Sequence, residues 1–229
     1  MKKMTKILSL TLALVLAVGL GVGGTLAWLN ATAGEVNNTF YATGLIDPDP
    51  NPEGYESNFE IWEHVAKPNA LGSYILEKTD SIKAADLIKA NRYKVVPGTE
   101  LQKDPFVYID TDEAAYVYVE VLDGLKGIDG LTYSIDSANW VKMEDVTPKH
   151  EGAEVYKYVI SGQDGVVKGE ADAITINLLD GKKITVGNDF DVNALSAEKN
   201  LQFFGYAAQQ ATFATAEDAW NATFGATKK

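Results

Sequence analysis

The chain has 229 residues, 46% hydrophobic and 23% charged, a composition that can bury a sizeable core and does not require disorder. Its 20 basic residues stand against 32 acidic ones, a formal charge of −12, which excludes phosphate-led binding of DNA or RNA. It contains no cysteine, so disulfides, thiolate metal sites and a cysteine nucleophile are excluded too.

The N-terminus reads as an export signal. Lys2, Lys3 and Lys6 form a basic head, residues 7–22 (ILSLTLALVLAVGLGV) a continuous apolar run, and Thr25 and Ala27 the small residues before a cut. The expected products are a helical signal peptide, residues 1–27, and a secreted chain that starts at Trp28. The competing reading is a retained transmembrane anchor. Gly19, Gly21, Gly23 and Gly24 weaken the outer end of such a helix, and no basic stop-transfer cluster follows. Cleavage leaves 17 basic residues against 32 acidic, a charge of −15, and no stable membrane anchor. An exported chain without disulfides relies on its core or on assembly, and the sequence fits a bacterial secreted protein.

Residues 28–38 form a polar arm in which Trp28 and Leu29 are the large apolar side chains, followed by Asn30 and, further on, Val36. Asn38, Thr39 and Phe40 read as the first strand of the body, residues 39–229. Residues 47–54 (DPDPNPEG) place Asp47, Asp49 and Asn51 at calcium-loop spacing, but Pro52 and Asn58 stand where Gly and Glu are needed. Alternating proline makes an extended linker the expected state.

Residues 58–65 alternate as a strand, with Phe59, Ile61 and Glu63 on one side and Trp62 and His64 on the other. Ile82, Ala85, Leu87 and Ile88 predict a short helix over 81–90, and Pro97-Gly98 a turn. The strongest β signal is 106–110 and 115–123, joined by an acidic turn, with Val117, Val119 and Val121 on the expected core face. Further strands are expected at 131–135, 140–146, 155–160, 173–179 and 182–186, the last two joined as a hairpin by Asp180-Gly181. Residues 200–213 predict a final long strand, and 215–224 a helix with Thr215 as N-cap and Asp218 at the capping-box position. The expected fold is all-β: an antiparallel jelly-roll β-sandwich with a few short peripheral helices.

No catalytic constellation emerges. The two histidines, His64 and His150, lack zinc-ligand spacing and read as ordinary edge and loop residues. There is no nucleophile elbow, phosphate loop or dinucleotide fingerprint. Three Asn-x-Thr tripeptides, beginning at Asn30, Asn37 and Asn221, fit the glycosylation pattern by chance. No catalytic, cofactor or metal residue is therefore assigned. An open sheet edge is what such a fold offers, and a free arm anchored by Trp28 and Leu29 suits strand addition to another molecule. By composition alone, an intramolecular first strand or an unstructured tail is favoured for the same arm.

Three stretches together resemble one family: GGTLAWLNATAGEVNNTFYATG at 23–44, VVPGTELQKDPFVYIDTDEAAYVYVEV at 95–121, and YAAQQATFATAEDAWNATF at 206–224. The chain resembles the TasA/camelysin proteins, secreted by Gram-positive bacteria and processed by a dedicated SipW-type signal peptidase. The resemblance implies a jelly-roll subunit of biofilm-matrix fibres, in which one subunit's N-terminal arm completes the sheet of the next. Carried over by position, the donor arm runs from Trp28 to about Asn38, and Phe40 begins the body. The partner implied is a second copy or a related matrix subunit, without nucleic acid. Camelysin relatives also carry a metalloendopeptidase label, which here would require His64 or His150 to bind zinc with carboxylates. A monomeric cell-surface binding module is a further alternative.

Overall fold

The computed structural model describes residues 30–33, 59–111, 113–167, 173–195 and 197–225. The signal peptide, the Ala27 and Trp28 cleavage pair, Leu29, Val36, Asn38, Thr39, Phe40 and the 47–54 linker lie outside the described residues. Strands dominate what is described, with one α-helix, and the class is all-β. No helix among the described residues is long and apolar enough to cross a membrane.

The largest sheet is built on two nine-residue strands, β8 (Ala115–Asp123) and β16 (Leu201–Gln209), antiparallel over their full length. Strand β11 (Glu154–Ile160) and then β10 (Trp140–Lys142) extend it on the far side of β8. Short strands β12 (Gln163–Asp164) and β13 (Val166–Val167) pair with β11 and β8. At the opposite edge β1 (Asn30–Ala33) pairs with β16. A second sheet joins β14 (Ile174–Asn177), β7 (Phe106–Ile109), β2 (Phe59–His64) and β5 (Leu87–Ile88) in that order. A third comprises β3 (Ala66–Pro68), β4 (Tyr74–Leu76), β6 (Glu100–Gln102), β15 (Lys183–Val186) and β9 (Leu131–Thr132).

The first two sheets share a core. Val117, Val119 and Val121 of β8, as their alternation predicts, meet Phe59, Val107, Ile109 and Ile176 from the second sheet, with Phe203 and Ala207 of β16 alongside. Tyr116 and Tyr118, on the other face of β8, are buried as well, because helix α1 (Ala216–Thr223) covers that face. Trp220, Phe224, Tyr118 and Tyr206 form a ring cluster there with centroids 5.1–6.1 Å apart. The Thr215 side chain accepts a hydrogen bond from the Asp218 N–H, the N-cap that the sequence predicts. Gly98, at φ +76°, makes the predicted turn, where a Cβ would stand 2.5 Å from Asn188 Oδ1.

Three expectations differ from the fold. Residues 81–90 are not a helix: a 3-10 turn at Ala84–Asp86 leads into β5, which pairs with β2. Nucleating a helix in so short a segment is unfavourable, and the β2 edge offers ladder bonds instead. Asp180-Gly181 does not close a hairpin, since β14 pairs with β7 and β15 with β6 in another sheet. Likewise β7 and β8, the strands on either side of the acidic turn, belong to different sheets and are not partners. Among the described residues the strand pairs are antiparallel except β4 and β6, which run parallel.

Candidate functional site

The candidate site is the outer edge of the largest sheet. Asn30, Ala31, Thr32 and Ala33 oppose Ala208, Ala207, Tyr206 and Gly205 of β16 in antiparallel register. Gly205, Ala207 and Ala208 are the small residues of that strand, and on the opposite edge the same residues pair with β8. A groove of about 590 Å³ is lined by the first half of β16, at Leu201, Gln202 and Phe203, and across from them by Trp62, Arg92 and Tyr93. Of the arm residues singled out in the sequence, Asn30 is therefore seated on the sheet.

Two buried charge clusters lie on the neighbouring strands, one at the end of β2 and one on β8, and sequence reasoning did not anticipate either. At the end of β2, consecutive residues Glu63 and His64 face consecutive residues Lys103 and Asp104. Lys103 Nζ donates to Glu63 Oε2 at 2.6 Å, and the Asn91 N–H to Glu63 Oε1 at 2.7 Å. The His64 N–H donates to Asp104 Oδ1 at 3.0 Å, and its ring Nδ1 lies 2.7 Å from Asp104 Oδ2. The ring Nε2 lies 2.8 Å from the Ser81 carbonyl oxygen. His64 is only 4% exposed, so the expected edge position is corrected to an interior one: its two ring nitrogens bind the connector before β7 and the segment before β5. The Lys-Asp-Pro triplet of the family-like stretch thus serves to join two sheets.

The second cluster centres on Glu120, which is completely buried on the α1 side of β8. It accepts from the Lys149 N–H, the Tyr206 hydroxyl at 2.9 Å and the His150 ring, whose Nδ1 carries the proton because a carboxylate only accepts. His150 stacks on Phe204 with centroids 3.8 Å apart, so it is a half-buried clamp on the loop rather than a solvated residue. Burial first, and then the Glu120 charge, push the Tyr206 hydroxyl above its ordinary range and keep it a donor. Among the described residues no group of three or more His, Asp or Glu is arranged to hold a metal, and zinc binding by His64 would require breaking both ring contacts.

The helix that covers this face is tied down by Asp164. Its Oδ2 accepts from the Ala216 N–H, its Oδ1 pairs with Lys157, and Lys157 also reaches Glu217 at 2.7 Å. Burial alone would raise the Asp164 carboxyl, but Lys157 and the Ala216 N–H outweigh it and hold it below the usual range. A carboxyl depressed in the folded state stabilises above its unfolded value, about 3.9, and that stability is lost as pH falls through the folded value. Acidification below about pH 4 is therefore expected to loosen α1. Asp164→Asn, whose amide oxygen still accepts from Ala216, should flatten this acid limb in an amide-exchange titration of residues 216–223. An unchanged limb in the variant would assign it to other carboxylates.

No family model, curated protein or solved structure matches the chain.

Proposed function

We propose that the protein is a secreted jelly-roll subunit of extracellular matrix fibres in a Gram-positive bacterium, assembled head to tail by strand donation. The observation that carries this reading is the antiparallel seat of Asn30–Ala33, a piece of the arm, on the outer edge of β16. A strand bound there adds backbone hydrogen bonds worth about 0.5–1.5 kcal/mol each to an edge that is otherwise a template for association. The same register accepts the molecule's own arm or that of a neighbour with equal chemistry. Self-pairing then competes with assembly through its effective concentration, which makes fibre growth concentration-dependent.

In this reading a SipW-type signal peptidase cuts between Ala27 and Trp28, freeing the arm and leaving no stable membrane anchor. The recipient is a second copy or a related matrix subunit. The acidic surface disfavours nucleic acid, and the strand-donation role needs no catalytic residue or cofactor.

The test is electron microscopy and size-exclusion of the chain from Trp28 to Lys229 over a range of concentrations, beside a variant lacking residues 28–37. Filaments with a regular axial repeat are expected for the first and none for the second, with the same β-type circular dichroism in both. A chain that stays monomeric at every concentration rules out self-polymerisation. Filaments that persist without the arm rule out strand donation.

A further inference from the structure

The geometry points to His64 as a proton-operated latch: a doubly protonated imidazolium that holds the 78–86 segment against β2 and releases it on losing one proton. Two independent observations lead there. Both ring nitrogens face acceptors, Nδ1 the Asp104 carboxylate at 2.7 Å and Nε2 the Ser81 carbonyl at 2.8 Å. A neutral imidazole has one N–H and can satisfy only one of them. The second observation is charge balance. Asp104 is 1% exposed, and the neighbouring charges Glu63 and Lys103 already neutralise each other at 2.6 Å. A cationic His64 supplies the missing countercharge for Asp104.

The surroundings determine which contact yields. On β2 the adjacent charge is Glu63, and the connector before β7 contributes Lys103 and Asp104. From β7 the Phe106 ring approaches, 5.7 Å from the imidazole centroid. Asn91 donates from Nδ2 to the His64 carbonyl. The segment beyond Nε2 carries Lys78, Asp80, Lys83 and Asp86, and its polar bonds run largely within itself. Ser81 Oγ and Lys78 Nζ both donate to Asp86, and the Ser81 N–H to the Lys78 carbonyl. When one proton leaves, the N–H that remains stays at Nδ1, where a lone pair would face a full negative charge. Nε2 then turns a lone pair on the Ser81 carbonyl oxygen, and this contact becomes repulsive. The proton goes to solvent, and the internally braced segment parts from β2 at Ser81.

The chain has two histidines, so His150, which faces a single carboxylate, is the internal reference. Nitrogen-detected NMR of the purified protein, with His150→Gln for assignment, reads the ring protons directly. Amide exchange of residues 80–86 reads the latch, with the β8 amides as a control for global opening. The expected result is two attached protons on the His64 ring while the segment is protected. Protection of 80–86 should fall about tenfold per pH unit once the His64 proton is lost, with β8 unaffected. Asp104→Asn presents an amide donor to Nδ1, so His64 becomes neutral with its single proton on Nε2, and the pH step should vanish. A single ring proton in the wild-type closed state, or the same step in Asp104→Asn, would overturn the assignment. The wild-type spectrum decides the charge even if the variant does not fold.

Discussion

Replacing Trp220 by Ala lowers the unfolding free energy by about 3–5 kcal/mol, the range for deleting a large buried ring. Trp220 is fully buried between β8, β16 and Phe224, with Tyr118 and Tyr206 edge-on at 5.3 and 5.2 Å. Its indole Nε1 donates to the Thr147 carbonyl at 3.1 Å and ties the 144–152 loop to the helix. Truncation removes the apolar contacts with three rings and frees the loop that brings Lys149 and His150 to Glu120. Urea unfolding followed by far-UV circular dichroism checks the loss, and Trp220→Phe should recover most of it. A decrease below 1 kcal/mol would mean that α1 contributes little to the stability of the sheet.

Glu63→Ala is expected to cost a similar amount, about 3–5 kcal/mol, for an electrostatic reason. The Lys103 ammonium, on a residue 8% exposed, would be left without its 2.6 Å partner, and the Asn91 N–H without its acceptor. The double variant Glu63→Leu/Lys103→Met removes both charges together, so it should lie within about 1–2 kcal/mol of the parent. Urea midpoints for Glu63→Leu, Lys103→Met and the double variant close the cycle. If the losses simply add, the two side chains are not coupled and the buried pair is not what joins β2 to the connector.

Sequence pattern reached a long way along β8 and β16. Alternation of valine with Tyr116, Tyr118 and Glu120 identified the core face of β8, because side chains in a strand point alternately to opposite faces. The same alternation left the tyrosine face undetermined, since its burial depends on α1, a hundred residues away in the chain. Glu120 is the clearest example: in the sequence it is one acidic residue among 32, and in the fold it anchors three donors from two other segments.

Local turn chemistry was legible, and its consequences for pairing were not. Pro97-Gly98 and the Thr215 cap depend on neighbours within three residues, and both form where predicted. Asp180-Gly181 redirects the chain too, with Gly181 at φ +59°, yet the strands on either side join different sheets. A turn sets the direction of the next strand, while the partner is chosen by whichever apolar face remains to be covered.

The sequence by itself determined the all-β class, the core stripe of β8, the cap of α1 and the acidic, cysteine-free surface. Each follows from side-chain type or from a period of a few residues. The tertiary structure alone decided that His64 and Asp104, 40 residues apart, would share a buried contact. It alone decided that Asn30–Ala33 would sit on β16, across more than 170 residues of chain. Buried charges and open edges are satisfied by whatever the fold brings near them, and no short-range pattern encodes that distance.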